Sequence, residues 1–461
     1  MAERKPSQAG PQSDQYPSRT GGPSQGGTSR SETEELEKID YVDPQQCLRL
    51  RQINGTSRDG GRKTADGEDA PGQVDEGVPV KRITGPADLD TFFNSIALDR
   101  ILQVLLNLSN RLTRFGILEN DAQVAYLKTS LEKSKTIRAV IAIFDRLDQW
   151  ITEIPLDPSP QRFGNKSFKI WGQRLESEAL HLHTQANLIT DHHKPIEAEL
   201  LHHFKTSFGS FGRLDYGTGH ELSFLGYLSI LHLTRILEHK DLLLTGLIVY
   251  QKYFNLCRRL QRVYNLEPAG SKGVYGLDDF FHVVYIFGSA QLLNHPTIRP
   301  SSILDEKLMG RINDTSSESG GLSEASREFL RREGIIPSLF FGAVQNTLSL
   351  KTQPKRTTGP GDPAGREEKD SRQGILDHSP ILLNLATNVK GWPKIYSGLI
   401  KMMKGEIFAK VPVMQHFWIA GPSAVLPWLP RTPPASLPLD EDTHVDEPDI
   451  DYIDHYRHLS S

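Results

Sequence analysis

The stretch that decides how the chain is interpreted is Ser207–Phe224, which reads SFGSFGRLDYGTGHELSF. It gathers charged and aromatic side chains around a Gly-Thr-Gly turn and leads directly into the apolar segment Leu222–Leu237. Glycine lets the backbone approach a ligand closely, and the first turn of a helix offers unpaired N–H groups and the positive end of the helix dipole. The stretch can therefore seat an anion. On spacing alone, the commoner interpretation is a turn in which Asp215 and Thr218 only cap a helix.

The composition restricts the class of protein. The 461 residues carry a net charge of −4, which offers no electrostatic case for binding nucleic acid. The two cysteines, Cys47 and Cys257, cannot form a disulfide framework, and this usage suits a reducing compartment, the cytoplasm or the nucleus. No uninterrupted apolar run approaches the roughly 20 residues that a membrane helix needs. We therefore expect neither a nucleic-acid nor a membrane partner.

The pattern along the chain predicts an all-α protein. Residues 1–80 and 422–461 are rich in Gly, Ser, Pro or acidic residues and poor in aromatics, so we expect disordered tails at both ends. Between them, apolar side chains recur at three- and four-residue steps, and no alternating strand pattern is evident. We therefore expect one helical domain over residues 83–420, with polar insertions near residues 309–330 and 351–374.

Single helices can also be placed from this spacing. Apolar stripes predict helices at Leu98–Leu112 and Thr136–Ile154, and a short helix is a weaker candidate at Glu34–Leu50. Leu222–Leu237 is apolar on nearly every face, which is typical of a buried central helix. Cys257 falls within a further apolar helical pattern and is interpreted as a small core residue.

Three polar loops that contain glycine interrupt these apolar helices, at residues 161–171, 207–221 and 270–280. Helical bundles usually connect through short turns, so loops that carry charged side chains beside buried helices are candidates for one shared site. In the last loop Asp278 and Asp279 are adjacent and point in different directions, so that one can face a site while the other caps a helix. These features predict a loop-built pocket for an anionic ligand with a metal ion.

Several enzyme classes lack their motifs here. The sequence contains no G-x-x-x-x-G-K-[ST] loop, no G-x-S-x-G elbow, no H-E-x-x-H and no kinase motif set. Histidines cluster between His181 and His203, but no Cys or carboxylate completes a tetrahedral set at a standard spacing, so we do not interpret them as a metal site. A stand-alone ATPase is disfavoured because no Walker-type lysine is present.

Five segments resemble, in the same order, the signature segments of the phosphotyrosyl phosphatase activator (PTPA) family, whose members activate type-2A serine/threonine phosphatases. The similarity covers roughly residues 83–417 and is carried by QRFGNKSFKIW, SFGSFGRLDYGTGHELSF, NLEPAGSKGVYGLDDF, GSAQLLNHP and KVPVMQHF. The resemblance implies an all-α fold in which a helical core and a lid are joined by a linker around an interdomain cleft.

The resemblance also implies a function. Family members bind ATP with Mg²⁺ in the cleft, engage the phosphatase catalytic subunit, including one held by its methylesterase, and are described as peptidyl-prolyl cis-trans isomerases. Carried over by motif position, the nucleotide contacts would be Arg213, Thr218, Gly219, Gln415 and His416. The Mg²⁺ positions would be Gly273, through its backbone, and Asp279. No catalytic residue is assigned for isomerisation, although we expect the proline-containing segment to meet an apolar pocket lined by Phe163, Phe168, Trp171 and Tyr216.

The chain departs from the family pattern directly after the KVPVMQHF segment. The family usually continues with a Phe-Gly-Ser-Leu type of run, whereas this chain has WIAGP at Trp418–Pro422. The departure motivates an alternative function, a non-enzymatic helical docking scaffold for the phosphatase whose nucleotide cleft is degenerate.

Overall fold

The computed structural model describes residues 39–56, 77–270, 276–316, 321–352 and 379–431, with only the backbone given for residues 51–56 and 350–352. Within these ranges the protein is all-α. Its one regular strand pair is parallel and joins β1, Asp215–Tyr216, to β2, Glu267–Pro268. No helix in the described ranges combines the length and the hydropathy that a bilayer span requires.

The helices follow the predicted spacing closely. In chain order they are α1 Pro44–Thr56, α2 Pro86–Phe93, α3 Ile96–Phe115, α4 Asp121–Lys133, α5 Lys135–Glu153, α6 Ser167–Gln185, α7 Glu197–Thr206, α8 Thr218–Leu233, α9 Tyr250–Tyr264, α10 Val283–Leu292, α11 Glu306–Asn313, α12 Glu324–Glu333, α13 Leu339–Thr352, α14 Pro380–Asn388, α15 Trp392–Met402 and α16 Val411–Met414. Helices α3 and α5 confirm the predictions at Leu98–Leu112 and Thr136–Ile154.

The centre of the fold is built on α8 and α10. Every residue of α8 from Glu221 to Leu233 is buried, which confirms the predicted central helix. Helix α8 packs on α3 and α7, whereas α10 packs on α3, α13 and α15. Both helices are apolar on all sides because neighbours surround them on all sides. Cys257 of α9 is fully buried in the same core, as predicted.

Part of the N-terminal segment that was predicted to be disordered is folded. Ile39 and Cys47 are buried, and α1 packs against the turn Asp191–Ile196. The backbone N–H of Val42 donates to the carbonyl of Leu233 at 2.7 Å. The polar composition of residues 1–80 as a whole indicated disorder, whereas the helix candidate at Glu34–Leu50 overlaps α1 from Pro44 to Leu50. Residues 1–38 and 57–76, to which the rest of the prediction applies, lie outside the described ranges.

The insertion predicted near residues 309–330 is largely helical. Met309 of α11 and Leu330 of α12 are fully buried. Both helices begin at side-chain caps that the sequence analysis did not use: Asp305 accepts from the N–H of Leu308, and Ser323 accepts from the N–H of Ser326. Of the second insertion, at residues 351–374, the structure describes only the last two residues of α13.

The beginning of the C-terminal segment also packs into the body. Val425 and Leu426 are fully buried, and their backbone N–H groups donate to the carboxylate of Glu199 at 2.8 and 2.7 Å. Arg100 donates to the carbonyl of Val425 at 2.6 Å. The prediction of a tail from residue 422 was therefore wrong up to Arg431, because the partner that pairs this backbone lies more than 200 positions earlier. Residues 432–461 lie outside the described ranges.

Replacing Glu199 by alanine should destabilise the protein strongly. Glu199 is fully buried, so its loss leaves two enclosed N–H groups without their acceptor and removes a negative charge near Arg100. We expect the free energy of unfolding to fall by about 3–5 kcal/mol, as measured by urea denaturation. Glu197→Ala is the matched control, because Glu197 begins the same helix and forms only a surface pair with Lys194, which contributes up to about 1 kcal/mol. Equal losses in the two variants would contradict this role.

Several histidines are buried in the neutral form. His183 is fully buried; its Nδ1 lies 2.7 Å from the carbonyl oxygen of Ala179, and its Nε2 lies 3.0 Å from the hydroxyl of Tyr227. A neutral ring satisfies both contacts by donating from Nδ1 and accepting at Nε2. Burial lowers the pKa to about 4 for His183, His202, His220 and His282, and to about 3 for His232.

A histidine of this kind makes stability depend on pH in a defined window. The pKa of His183 is near 4 in the folded protein and about 6.5 in an unfolded chain. The unfolded state therefore binds more protons between these values, and stability is lost as pH falls through them. From pH 7 to pH 5, we expect the free energy of unfolding of wild type to fall by about 2 kcal/mol more than that of the His183→Phe variant, which has no titrating group at position 183. Identical pH slopes in denaturant titrations would refute this.

Candidate functional site

Of the three loops that were predicted to share a site, the 207–221 loop lines a cavity of about 810 Å³, the 270–280 loop contributes only Gly270 among its described residues, and the 161–171 loop does not line it. The cavity wall comes from Glu176 of α6, from residues between His202 and His220, from Ala269–Gly270, and from residues between Pro412 and Trp418. The start of α8 and the later segment touch directly, since a Cβ added to Gly219 would lie 3.5 Å from Val413 Cγ1. Loops far apart in the sequence therefore form one wall.

Four of the predicted nucleotide contacts line this cavity: Arg213, Thr218, Gly219 and His416. Thr218 and Gly219 form the first turn of α8, a helix of 16 residues. Burial, followed by the positive charge of Arg213, lowers the pKa of His416, which favours a neutral ring. The cavity thus brings together a guanidinium, a hydroxyl, an imidazole and the N-terminus of a long helix.

The other predicted site residues are placed differently. Gln415 does not line the cavity; its Oε1 accepts from Lys81 Nζ at 3.3 Å. Asp279 is half-buried and is also absent from the cavity wall. Gly273 lies outside the described ranges. Within those ranges, no group of three or more His, Cys, Asp or Glu side chains is arranged to hold a metal ion.

The first of the paired acids in the 270–280 loop, Asp278, has a structural role. Asp278 accepts from the N–H groups of Phe280 and Phe281 at 2.7 and 3.1 Å, and from the hydroxyls of Tyr285 and Thr347 at 3.0 and 2.6 Å. Burial raises the pKa of Asp278, and the hydrogen bonds offset only part of this increase. Asp278 is therefore the structural acid of the pair.

The geometry of the RLDYG turn depends on Leu214. This residue has φ +59°, a left-handed conformation that is uncommon outside glycine. The turn brings Arg213 and Asp215 together: Arg213 Nε and Nη2 donate to the carboxylate of Asp215 at 2.8 and 3.2 Å. Leu214 itself is buried against Gly164 of the 161–171 loop. That loop therefore supports the site from behind.

The strand pair fixes the third loop against this turn. The N–H of Ala269 donates to the carbonyl of Tyr216 at 2.7 Å, and the N–H of Glu267 donates to the carbonyl of Leu214 at 3.0 Å. The backbones approach so closely that a Cβ added to Gly217 would lie 2.8 Å from the carbonyl oxygen of Ala269. The glycine before the α8 helix is required by this contact.

His220 lies between the cavity wall and the core. Its Nδ1 is 2.7 Å from the carbonyl oxygen of Thr206, and its Nε2 is 4.0 Å from Asp215 Oδ1. Because burial lowers its pKa to about 4, the ring is neutral at pH 7, donates from Nδ1 and keeps Nε2 as an acceptor beside the Arg213–Asp215 pair.

Glu221 is a buried acid of the Ser207–Phe224 stretch to which the sequence alone assigned no role. Its carboxylate accepts from the N–H groups of His282, Val283 and Val284 at 2.6, 2.9 and 3.3 Å, and from the hydroxyl of Tyr250. It thereby caps α10 and holds the start of α9. Burial raises its pKa to about 7 against the effect of these hydrogen bonds. An acid that directly precedes a fully apolar helix was the signal in the sequence.

The aromatics expected to line an isomerase pocket do not line this cavity. Phe168 and Trp171 are fully buried and stack on each other at 5.9 Å, while the Tyr216 hydroxyl lies 2.7 Å from that of Tyr253. Phe163 is exposed. For the three buried aromatics the expectation failed because burying aromatic surface in the core is more favourable than leaving it exposed to solvent on a cavity wall. Phe211 and Trp418 line the cavity instead.

Comparison with known proteins decides the family. A sequence profile described as "Phosphotyrosyl phosphate activator (PTPA) protein" matches residues 79–428. The chain belongs to the PTPA family. A Dictyostelium discoideum relative, named probable serine/threonine-protein phosphatase 2A activator 2, is 33% identical over 353 residues, which make up 75% of this chain and 64% of that protein. The matched region thus spans slightly less than two thirds of that relative.

Other PTPA-family members match over more of their own length. Serine/threonine-protein phosphatase 2A activator 1 of Schizosaccharomyces pombe is 34% identical over 343 residues, covering 74% of this chain and 88% of that protein. The crystal structure of the PP2A phosphatase activator Ypa1 superposes with a TM-score of 0.58 at 28% identity, covering 77% of this chain and 96% of that one. The all-α PTPA fold is confirmed, whereas its division into core, lid and linker stays a prediction.

The glycine before α8 offers a test of the site's construction. Gly217→Ala would force its Cβ into the carbonyl of Ala269, so we expect the free energy of unfolding to fall by about 1–3 kcal/mol. Gly212→Ala is the matched control five positions earlier, since a Cβ there meets nothing within 4 Å and should change stability by less than about 0.5 kcal/mol. Urea denaturation measures both, and a neutral Gly217→Ala variant would rule out the close approach.

Proposed function

We propose that this PTPA-family protein activates type-2A serine/threonine phosphatases by acting on their catalytic subunit together with ATP and Mg²⁺. The observation that carries the proposal is the cavity at the N-terminus of α8, walled by Arg213, Thr218, Gly219 and His416. The names of the Dictyostelium and fission-yeast relatives support the phosphatase as partner. The proposed substrate includes a phosphatase catalytic subunit that is held inactive by its methylesterase. We propose that the protein acts in the cytoplasm or the nucleus.

The donor set of the cavity fits a nucleotide. Arg213 presents a planar fork of N–H donors, which suits phosphate oxygens. Thr218 adds a hydroxyl, and the first turn of α8 adds backbone N–H groups and a favourable dipole. Arg213 is currently held by Asp215, so phosphate binding requires the guanidinium to be shared or released. When bound, ATP would supply a concentrated negative charge, which Arg213 and the first turn of α8 would hold.

Asp279 is the proposed Mg²⁺ ligand, with the backbone carbonyl of Gly273. The assignment follows the motif position that the family resemblance gives to Asp279, whereas its neighbour Asp278 is a structural acid held by four donors. The loop that carries Asp279 packs behind the stretch that bears the cavity wall, because the rings of Phe280 and Phe281 lie 6.3 and 5.2 Å from that of the buried Tyr216. Mg²⁺ favours one or two carboxylates completed by phosphate and water.

The proposed reaction on a proline-containing segment of the phosphatase is cis-trans isomerisation. The barrier of roughly 20 kcal/mol arises from amide resonance, so no nucleophile is needed. An apolar wall that favours the twisted imide lowers the barrier, and Phe211 and Val413 supply such a surface in the cavity. No side chain is assigned as catalytic.

A second candidate function is a docking scaffold without nucleotide chemistry. It is favoured by the pairing of both basic side chains on the cavity wall: Arg213 with Asp215 at 2.8 Å, and Lys205 with Glu176 at 2.6 Å. A wall neutralised by its own acids attracts an anion less strongly than a free cation would. The scaffold would bind the phosphatase equally well with and without ATP.

Two substitutions separate these functions. Arg213→Ala removes a charge-assisted fork, and we expect ATP binding to weaken about 10- to 100-fold. Asp279→Ala should abolish the Mg²⁺ dependence of that binding. Both should suppress the ATP-dependent reactivation of an inactive type-2A catalytic subunit while the helical circular dichroism is unchanged.

Arg138→Ala is the control, because Arg138 is exposed on α5, away from the cavity. Reactivation that is unchanged in Arg213→Ala and Asp279→Ala would refute the site. A phosphatase pull-down that is indifferent to ATP and Mg²⁺ in wild type would favour the scaffold.

A further inference from the structure

Trp418 is the exposed tryptophan of the described chain. Its exposed fraction is 39%, whereas Trp150, Trp171 and Trp392 are at most 2% exposed and Trp428 is half-buried. The exposed part of this indole leaves apolar surface in water in the free protein, and exposed aromatic surface on a cavity wall is typical of binding sites. Trp418 also stands where the chain departs from the usual family pattern.

The residues before and after Trp418 are both anchored in the core. Phe417 is buried against His203, with ring centroids 4.9 Å apart. Ile419 is buried and pairs with Val80 through two backbone hydrogen bonds of 3.1 and 3.2 Å. With both neighbours anchored in the core, Trp418 is presented outward with little freedom, and a preorganised ring binds at a lower entropic cost.

Trp418 stacks on His202 of α7. The ring centroids are 5.2 Å apart and the planes differ by 16°. Burial lowers the pKa of His202 to about 4, so the pair is uncharged at pH 7. Both rings line the same cavity as Arg213, Thr218 and Gly219. One cavity therefore offers an anion seat at the start of α8 and a flat, neutral π surface in its wall.

We propose that the Trp418–His202 stack is the seat of the purine base of the bound nucleotide. The inference rests on the proposed function, which places the phosphates at Arg213 and the first turn of α8. A purine is planar and neutral and stacks on aromatic rings largely by dispersion. The stack adds affinity for the base without contacting the phosphates, so it selects a nucleotide over a bare polyphosphate.

The experiment separates base from phosphate. Binding of Mg²⁺-ATP, tripolyphosphate and adenosine is followed by isothermal calorimetry, and by quenching of the intrinsic tryptophan fluorescence, to which Trp418 is the exposed contributor. We expect Trp418→Ala to weaken ATP binding about 5- to 150-fold, the equivalent of the roughly 1–3 kcal/mol of one stacked base. Tripolyphosphate binding should be unchanged. Trp418→Phe should recover most of the ATP affinity but lose the quenching.

Trp428→Phe is the matched control, since Trp428 lies in the same C-terminal segment but not on the cavity wall. ATP affinity that is unchanged in Trp418→Ala overturns the inference, as does an equal loss for ATP and tripolyphosphate, which would mark Trp418 as structural. If Trp418→Ala weakens only a proline-containing peptide, the stack serves the peptide and the inference is wrong. If wild type binds neither ATP nor tripolyphosphate, the proposed nucleotide function itself fails, and the inference with it.

Discussion

The structure depends on one buried carboxylate, that of Glu221. It lies in the first turn of the central helix α8 and accepts the N–H groups that begin α10 as well as the hydroxyl of Tyr250 on α9. The start of a helix leaves N–H groups without partners, and in an apolar core these need an acceptor. A single side chain meets this need for α10, and by doing so it sets where three central helices lie relative to one another.

This anchor also explains why the neighbouring residues can serve a site. On the outer side of the same stretch, Arg213, Thr218 and Gly219 face the cavity, while Tyr216 and Glu221 are buried. A cavity wall that is to present polar groups in a fixed arrangement needs a rigid support. Here the support consists of the carboxylate cap and of the strand pair that joins Tyr216 to Ala269. The left-handed Leu214 sits between the two faces and directs Arg213 towards Asp215.

Glu199 of α7 repeats the same device for the C-terminal segment. Its carboxylate accepts the N–H groups of Val425 and Leu426, and the adjacent Arg100 donates to the carbonyl of Val425. An irregular segment can be buried only if its backbone groups find such partners. The chain between the cavity wall and Val425 is thereby tied to α7, the helix that carries His202. The stack of His202 on Trp418 thus lies between two fixed points.

The sequence by itself determined the helices, their buried faces and the family, because apolar periodicity and contiguous motifs are local properties of the chain. It also indicated that the 207–221 loop and the segment before Trp418 belong to one site, through the family pattern. The tertiary structure decided which polar residues face the cavity and which are consumed in the core. Glu221 turned out to cap α10, Asp278 to be a structural acid held by four donors, Phe168 and Trp171 to be core, and residues 422–431 to be folded. These outcomes depend largely on hydrogen-bond partners or packing surfaces supplied by distant segments, which a local pattern can suggest, as the acid before the apolar run did for Glu221, but cannot identify.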